Sequence, residues 1–297
     1  MATRLEALRL GKEILKTDGA RRDAEILLRH LLQESRAEFY RKMDKGVPAL
    51  VLFHYRHLLT RRAAGCPIQY LTGSREFMGL DFHVNENVLI PRPETEILVE
   101  LALKLLQEEI KPAKYGDKLL PPTIVDLGTG SGAIAVSLAK GLTKGKIYAL
   151  DVSPAALLVA KKNARLHGVL DRIIFMNGDF LSPLNKELRC PQVDLLLSNP
   201  PYIPTGELAH LPREVGYFEP RIALDGGRDG LDFYRRLALE VPNYLRREGW
   251  LVVEIGQGQE GRVQEILATA EIFTSLQVLP DLAGIPRVVA AKRAGKA

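Results

Sequence analysis

The stretch that decides the fold is Val193-Asp-Leu-Leu-Leu-Ser198, followed directly by Asn199-Pro200-Pro201-Tyr202. A short apolar run ended by two prolines predicts a buried parallel strand that stops abruptly, because proline has no N–H with which to continue a ladder. Asn199 then lies at the carboxyl end of the strand. In open α/β sheets this is the edge where ligands bind.

The prolines also make this segment stiff. Pro200 and Pro201 fix φ and restrict the residue before each, so the Asn199 side chain and the nearby carbonyls are held still. With the ring of Tyr202 they form a rim of hydrogen-bond acceptors beside one aromatic face, which suits a planar NH2 group. By itself the tetrapeptide is equally typical of an ordinary loop.

A second motif lies upstream, where Val125-Asp-Leu-Gly128-Thr129-Gly130-Ser131-Gly132 closes a predicted strand and opens a helix. Small residues let the backbone approach a ligand and aim helix N–H groups at it. Nineteen residues beyond Gly132 the next predicted strand ends at Asp151, whose carboxylate can accept both hydroxyls of a ribose. The loop also fits Gly-x-Gly-x-x-Ala, which keeps a nicotinamide dinucleotide open.

Asp179-Phe180 follows the third predicted strand. An acidic side chain beside an aromatic ring can bind adenine, since the carboxylate accepts from the exocyclic amine and the ring lies against the base. A loop carrying a core phenylalanine explains the pair equally well.

From residue 123 onward strands and helices alternate, which predicts a doubly wound α/β sheet with helices on both faces. The first five predicted strands are Thr123–Leu127, Lys146–Val152, Arg172–Asn177, Val193–Asn199 and Trp250–Ile255. Only a short turn separates Leu276–Leu279 from Arg287–Ala291, so these two strands should pair antiparallel at one edge.

The amino-terminal part has a helical pattern, with capping boxes at Thr3 and Ser35 and a further helix over Leu50–Ala64. We therefore expect a helical bundle over residues 1–65, a β-hairpin linker over 66–90 and an α/β domain over 91–297. The hairpin pattern runs from Ile68 to Val84. A helix should start at Pro93 and run to about Ile110, and Lys111–Pro122 should be a loop.

Composition excludes several classes of protein. The 297 residues are 46% hydrophobic with a net charge of +5, as expected of a globular chain. Cys66 and Cys190 form no disulfide framework, and no apolar run is long enough to span a membrane, so a cytoplasmic location is expected. His54 and His57 lack an acidic or cysteine companion nearby in sequence, and no metal is expected.

Residues 1–75 hold 15 Lys/Arg against 8 Asp/Glu. Such an excess suits an acidic protein surface or RNA, and it suits a solvated helical exterior as well.

These motifs together resemble class I S-adenosylmethionine-dependent N-methyltransferases. Three further blocks resemble the HemK/PrmC family, the protein-(glutamine-N5) methyltransferases of peptide-chain release factors, over roughly residues 65–291. The blocks are Pro67-Ile-Gln-Tyr-Leu-Thr-Gly73 with Phe77, Ile90-Pro-Arg-Pro-Glu-Thr-Glu96, and Glu219-Pro220 through Ala223-Leu224, Gly226-Gly227 and Asp229-Gly230-Leu231 to Tyr234-Arg235.

The resemblance implies that the glutamine of a release factor's Gly-Gly-Gln loop is the substrate. It implies that Asn199, Pro200, Pro201 and Tyr202 bind the glutamine amide, and that residues 1–65 recognise the protein substrate. The residues expected to hold S-adenosylmethionine are Gly128, Thr129, Gly130, Ser131, Gly132, Asp151, Asp179, Phe180 and Asn199.

The chemistry expected is methyl transfer to a weak nucleophile, since resonance withdraws the lone pair of an amide nitrogen. If the Asn199 oxygen and the Pro200 carbonyl accept the two amide hydrogens, they favour the positive charge that grows on nitrogen and orient it. Asn199, Pro200 and Tyr202 are the predicted catalytic residues. No His, Cys or Ser nucleophile is required.

Three alternatives stay open. The first is an N-methyltransferase of adenine or guanine amino groups, with which the basic amino-terminal part is compatible, although direct nucleic-acid binding is not expected. The second is a nicotinamide-dependent oxidoreductase, which gives the Asn-Pro-Pro-Tyr rim no role. The third is a non-enzymatic docking module carried by residues 1–65.

Overall fold

The computed structural model describes residues 2–110, 113–115, 118–186 and 193–295. The chain forms two compact units. Unit 1 consists of Met1–Ser74 and Leu211–Phe218, and unit 2 consists of Arg75–His210 and Glu219–Ala297. The return of residues 211–218 to unit 1 was not expected from the sequence.

Unit 1 is helical. Its helices are α1 (Arg4–Leu15), α2 (Ala20–Leu32), α3 (Arg36–Arg41), α4 (Ala49–Ala63), α5 (Ile68–Thr72) and the short α9 (Arg213–Gly216). The two predicted capping boxes are confirmed, because the Thr3 and Ser35 hydroxyls accept from the backbone three residues on while Glu6 and Glu38 reach back.

The core of unit 1 lies between α1, α2 and α4. A Cβ on Gly11 would lie 2.5 Å from the Cβ of Ala24 and 2.4 Å from the hydroxyl of Tyr55, so only glycine allows these helices to approach so closely. Fully buried Tyr55 donates to the carbonyl of Ala24 at 3.2 Å, and the bond satisfies its hydroxyl.

Residues 211–218 are held to the helices by polar contacts. The Arg62 guanidinium lies 2.7 Å from the Asp23 carboxylate and 2.6 Å from that of Glu214. Arg213 Nε donates to the carbonyl of Ala64 at 2.8 Å. Phe218 packs against the hydrophobic core of the bundle.

The predicted hairpin is confirmed only in part. Strands β1 (Ser74–Phe77) and β2 (Leu80–His83) form a two-stranded sheet. The turn residues Met78 and Gly79 both have positive φ, at 52° and 69°, as in a type I′ turn. The hairpin prediction was wrong for Ile68–Thr72, where Pro67 and the left-handed Gly73 bracket a short helix.

Unit 2 contains the larger sheet and its helices. The sheet strands are β5 (Thr123–Leu127), β6 (Lys146–Asp151), β7 (Ile173–Asn177), β8 (Val193–Ser198), β9 (Leu245–Glu254), β10 (Phe273–Pro280) and β11 (Pro286–Arg293). The helices are α6 (Thr95–Glu108), α7 (Ala133–Gly141), α8 (Pro154–Leu166), α10 (Asp232–Glu240) and α11 (Glu260–Ala268). The loop predicted over Lys111–Pro122 contains two paired strands, β3 (Ala113–Tyr115) and β4 (Lys118–Leu120), so the prediction was wrong for these residues.

The seven-stranded sheet has the order β10-β11-β9-β8-β5-β6-β7. Strands β9, β8, β5, β6 and β7 are parallel, and β10 and β11 pair antiparallel at one edge as predicted. The chain runs outward from β5 to β7 and then returns to the other side of β5 as β8. The gap between β5 and β8 is therefore the topological switch point of the sheet.

Helices cover both faces, which confirms the doubly wound architecture. Leu195 and Leu197 of β8 face the cluster that contains residues of α6, α7 and α8, whereas Leu196 faces the cluster that contains residues of α10 and α11. Because successive side chains of a strand point to opposite faces, a strand buried on both sides reads as a continuous apolar run.

Candidate active site

A cavity of ≈ 330 Å³ lies in unit 2 at the carboxyl ends of β5, β6 and β8. Predicted site residues on its wall are Gly128, Thr129, Gly130, Ser131, Asp151, Asp179, Phe180, Asn199, Pro200 and Pro201. Residues of other segments complete it, namely Asn87, Val88, Leu89, Pro91 and Thr95, then Pro220, Ile222 and Ala223, then Phe233 and Arg236. One cavity thus brings together most of the residues singled out in the sequence.

The glycine loop has the backbone conformation that its residues predict. Gly128, Gly130 and Gly132 have φ of 75°, 55° and 80°, values that residues other than glycine rarely adopt. A Cβ on Gly132 would lie 3.0 Å from the Cβ of Ala160, so this glycine also permits α7 and α8 to pack closely. Gly132 itself is not on the cavity wall but shapes the turn that forms it.

Asp151 braces this loop from the end of β6. One carboxylate oxygen accepts from the Gly130 N–H and the other from the Ser153 N–H, both at 2.8 Å. Burial raises the pKa of Asp151, while these backbone bonds act in the opposite direction. Each oxygen retains a lone pair with which it can accept from a ligand.

Asp126 supports the same loop from beneath. It is fully buried, and its Oδ2 accepts from the Thr129 hydroxyl at 2.6 Å and from the Ala135 N–H at 3.1 Å. Burial raises the pKa of Asp126 to about 7. The carboxyl group therefore ties the end of β5 to both the loop and the first turn of α7.

Asp179 and Phe180 both line the cavity, and Asp179 is already paired. Its two carboxylate oxygens accept from the Arg236 guanidinium at 2.7 and 2.6 Å, and this pairing lowers the pKa of the carboxyl group. The same guanidinium lies 4.4 Å from the centre of the Phe180 ring. The centres of the Phe180 and Phe233 rings lie 4.9 Å apart. Any contact of Asp179 with an adenine amine would be an additional bond.

Asn199 follows β8 directly and its side chain is fixed. The Asn199 amide nitrogen donates to the Thr95 hydroxyl at 2.9 Å, and that hydroxyl donates to the Glu254 carboxylate at 2.6 Å. Ser198 pairs with Val253 in the sheet, so Asn199 and Glu254 follow neighbouring positions of β8 and β9. With its nitrogen engaged by Thr95, the amide of Asn199 has its oxygen left to accept from a ligand.

The structure does not place Tyr202 on the cavity wall with Asn199, Pro200 and Pro201. Its ring packs against the hydrophobic cluster of α10 and α11, and its hydroxyl lies 3.4 Å from a carboxylate oxygen of Glu254. The Tyr202 hydroxyl points toward Glu254, and a buried carboxylate of this kind is stabilised by nearby donors. The predicted aromatic face for a substrate amide is therefore not seen in this geometry.

The segment that follows β8 is held by the glycine-rich block of residues 224–230. The Ile203 N–H donates to the carbonyl of Leu224 at 3.0 Å, and the Gly226 N–H donates to the carbonyl of Ile203 at 2.8 Å. A Cβ on Gly226 would lie 2.8 Å from the carbonyl oxygen of Pro201, and one on Gly230 would lie 2.3 Å from that of Tyr202. Glycine at both positions lets two backbones approach each other.

Sequence reasoning missed Thr95, Glu254 and Arg236. Thr95 was interpreted only as part of a helix start. Glu254 carried a usable signal, since it is the single charged residue in the apolar run Trp250–Ile255. Arg236 carried none, because a helical arginine is normally a surface residue.

Within residues 2–110, 113–115, 118–186 and 193–295, no group of three or more His, Cys, Asp or Glu side chains could hold a metal ion. No helix in this part of the chain is long and apolar enough to cross a membrane.

Two family models match the chain. The PrmC N-terminal domain matches residues 6–73, and a methyltransferase domain matches residues 122–272. Among solved structures, the hMettl16 catalytic domain in complex with MAT2A 3'UTR hairpin 6 has a TM-score of 0.54 at 18% identity, covering 81% of this chain and 82% of that one. This likeness shows the fold alone.

Relatives with similar sequences identify the family to which the chain belongs. The release factor glutamine methyltransferase of Moorella thermoacetica is 44% identical, over 92% of this chain and 91% of its own length. That of Geobacter sulfurreducens is 40% identical, over 92% and 89%. Identity of this degree over nearly the full length of both chains shows that the protein belongs to the release factor glutamine methyltransferase family.

Proposed function

We propose that this protein transfers a methyl group from S-adenosylmethionine to the side-chain amide nitrogen of the glutamine in the Gly-Gly-Gln motif of a class-1 peptide-chain release factor. The observation that carries the proposal is the setting of Asn199. It lies on the wall of a cavity that the glycine loop also lines, and its amide nitrogen is engaged by Thr95. Its oxygen is therefore available to a group that donates, such as a carboxamide NH2.

The cavity fits the proposed cofactor. The left-handed Gly128 and Gly130 leave their backbone accessible on the wall. Asp151 offers lone pairs to ribose hydroxyls, and Phe180 offers a ring to adenine. Gly128, Thr129, Gly130, Ser131, Asp151, Asp179, Phe180 and Asn199 are the residues that would hold it. When bound, S-adenosylmethionine supplies an electrophilic methyl carbon on a positively charged sulfur.

The residues of the chain would act on the weak nucleophile. The Asn199 oxygen and the Pro200 carbonyl accept the two hydrogens of the glutamine amide, and so stabilise positive charge that develops on its nitrogen. The methyl group would pass from sulfur to this nitrogen, so that one N–C bond would replace one S–C bond and the cofactor would leave as a neutral thioether. The extra proton on nitrogen leaves to water. Fixed acceptors at a stiff proline segment also supply orientation.

Unit 1 would serve the protein substrate. Its family match to the PrmC N-terminal domain and the basic character of residues 1–75 support a surface that binds the release factor. A cytoplasmic location belongs to the same proposal, since translation termination takes place there. Family membership removes the support for the oxidoreductase and for the non-enzymatic docking module.

The nucleic-acid amino-group methyltransferase stays as the competing function, because it needs the same chemistry. The test incubates the purified protein and labelled S-adenosylmethionine with a recombinant release factor, with total RNA and with DNA. A release factor whose Gly-Gly-Gln glutamine is replaced by alanine is the matched control. We expect label only in the unaltered release factor, and mass spectrometry should place it on that glutamine. Label confined to nucleic acid would overturn the proposal.

A further inference from the structure

A buried chain of hydrogen bonds ends at the Asn199 side chain. Glu254 terminates β9 and is 1% exposed, and Thr95 opens α6 and is 4% exposed. The Thr95 hydroxyl lies 2.6 Å from the Glu254 carboxylate and 2.9 Å from the Asn199 amide nitrogen. Two side chains that the sequence did not single out thus connect a buried acid to the predicted catalytic asparagine.

This chain has a direction that follows from its donors and acceptors. An ionised carboxylate can only accept, so the Thr95 proton must point toward Glu254. The Thr95 oxygen is then left to accept, and it can do so from the NH2 end of Asn199 but not from the oxygen end. Glu254 therefore determines, through two hydrogen bonds, which end of the Asn199 amide faces Thr95.

The two ends of an asparagine amide have nearly the same shape and opposite hydrogen-bonding character. If the amide turned over, its NH2 group would meet the NH2 group of a substrate carboxamide, and two donors would face each other. Shape alone does not prevent this. A hydrogen-bonded partner with a fixed direction does.

We propose that Thr95 and Glu254 are positioning residues that hold the Asn199 side chain with its oxygen toward the substrate, and that they thereby give the site its preference for an amide that donates. The inference rests on the proposed function and deepens it. Neither residue touches the reacting atoms, and both act through Asn199.

The test compares Thr95→Ser with Thr95→Val. Serine keeps the hydroxyl, and valine keeps the shape without it. With the release factor as substrate, we expect Thr95→Ser to keep turnover within about threefold of the wild type, and Thr95→Val to lower kcat about tenfold or more, the worth of one hydrogen bond to a charged network. The Kd of the cofactor should change little between the two variants. Thr95→Val should lower the Tm by a few degrees, because the buried Glu254 carboxylate loses this donor, so kcat is compared at a temperature at which both variants are folded.

A double-mutant cycle separates positioning from general damage. In an Asn199→Ala background, Thr95→Val should lower kcat by less than about twofold, since the residue on which it acts is already absent. Glu254→Gln should also lower kcat, because a carboxamide can present its NH2 group to Thr95 and so reverse the direction of the chain.

The outcomes are distinct from those of the proposed function. A wild-type protein that does not methylate the release factor would refute the function itself. If the wild type is active, equal turnover of Thr95→Ser and Thr95→Val would refute the inference. So would a full tenfold loss from Thr95→Val in the Asn199→Ala background.

Discussion

At the scale of single residues, the site depends on side chains whose polar atoms are already committed. Asp151 braces the glycine loop, Asp179 is held by Arg236, and the Asn199 nitrogen is held by Thr95. Each side chain keeps one defined set of lone pairs for a ligand. Such preorganisation avoids reorganising dipoles at the moment of reaction.

The first prediction concerns Asn199→Ala. We expect kcat on the release factor to fall on the order of a hundredfold or more, because one preorganised acceptor is lost. The Kd for S-adenosylmethionine, measured by calorimetry, should stay within a few-fold of the wild type. Near wild-type turnover of this variant would remove Asn199 from the mechanism.

The second prediction concerns the pH dependence of turnover. Burial raises the pKa of Glu254 to about 7; the nearby Glu94 carboxylate also raises it, while Thr95, Tyr202 and Arg287 act to lower it. A protonated Glu254 can donate, so it no longer forces Thr95 to accept from Asn199. We expect kcat of the wild type to fall as the pH drops through about 7.

Thr95→Ser should show the same fall and Thr95→Val should lack it, since valine cannot transmit the change. The measurement is kcat against pH at saturating release factor and cofactor. A fall of the same size in Thr95→Val would assign it to another group.

At the scale of elements, the backbone around residues 224–230 shapes the segment that follows β8. Gly230 has φ of 77°, and a Cβ there would lie 2.3 Å from the carbonyl oxygen of Tyr202. Gly258 has nearly the same φ, 78°, with no atom within 4 Å of an added Cβ. The two glycines therefore differ in packing but share nearly the same φ.

The third prediction compares Gly230→Ala with Gly258→Ala. Gly258→Ala should lose about 1 kcal/mol of stability, because alanine is strained at positive φ. Gly230→Ala should lose more, because its Cβ would also collide with the carbonyl oxygen of Tyr202. Gly230→Ala should also displace the Asn-Pro-Pro-Tyr segment and lower kcat about tenfold or more, since small misplacements of catalytic groups are costly. Gly258→Ala should retain wild-type kcat. Turnover assays with thermal unfolding measure both effects, and equal kcat in the two variants would contradict the prediction.

Elements were predictable where one local rule governed them. The strand Thr123–Leu127, the capping boxes and the antiparallel edge pair follow from apolar runs, Ser/Thr caps and a short turn. The short helix at Ile68–Thr72 was missed because five residues carry too little periodicity. β9 begins at Leu245, five residues before the predicted start at Trp250. The start was missed because residues 246–249 are Arg-Arg-Glu-Gly, which does not have the pattern of a strand.

The site was predictable to the extent that its residues lie in continuous motifs. The glycine loop and the Asn-Pro-Pro segment carry their spacing in the sequence, and the sheet topology brings them to one edge. The Thr95–Glu254 contact joins residues 159 positions apart. A pairing of that kind depends on strand order and register, which a single sequence does not specify.

At the scale of the whole molecule, the fourth prediction concerns stability against pH. Burial raises the pKa of both Asp126 and Glu254 to about 7, from ordinary values of 3.8 and 4.5. A carboxyl group with a raised folded-state pKa contributes stability that is present below its unfolded pKa and is lost as the pH rises through the folded value. Each group contributes on the order of 3 kcal/mol across that window.

We therefore expect the free energy of unfolding, measured with urea, to be higher at pH 5 than at pH 8. Glu254→Gln should show a smaller difference between the two pH values, because one of the two groups no longer titrates. Carboxylates such as Asp179, whose pKa is lowered by an arginine, titrate below this window and do not reverse the sign. Greater stability of the wild type at pH 8 would contradict the prediction.

The division of the chain has a practical consequence for dissecting it. Leu211–Phe218 belongs to unit 1 although more than a hundred residues of sequence separate it from Ser74. Within this segment, Glu214 pairs with Arg62, and Arg213 donates to the carbonyl of Ala64. An expression fragment cut after Ser74 would leave the Arg62 guanidinium without Glu214 and the bundle without Phe218. An isolated bundle with its native contacts would therefore need residues 211–218 joined to it through a designed linker.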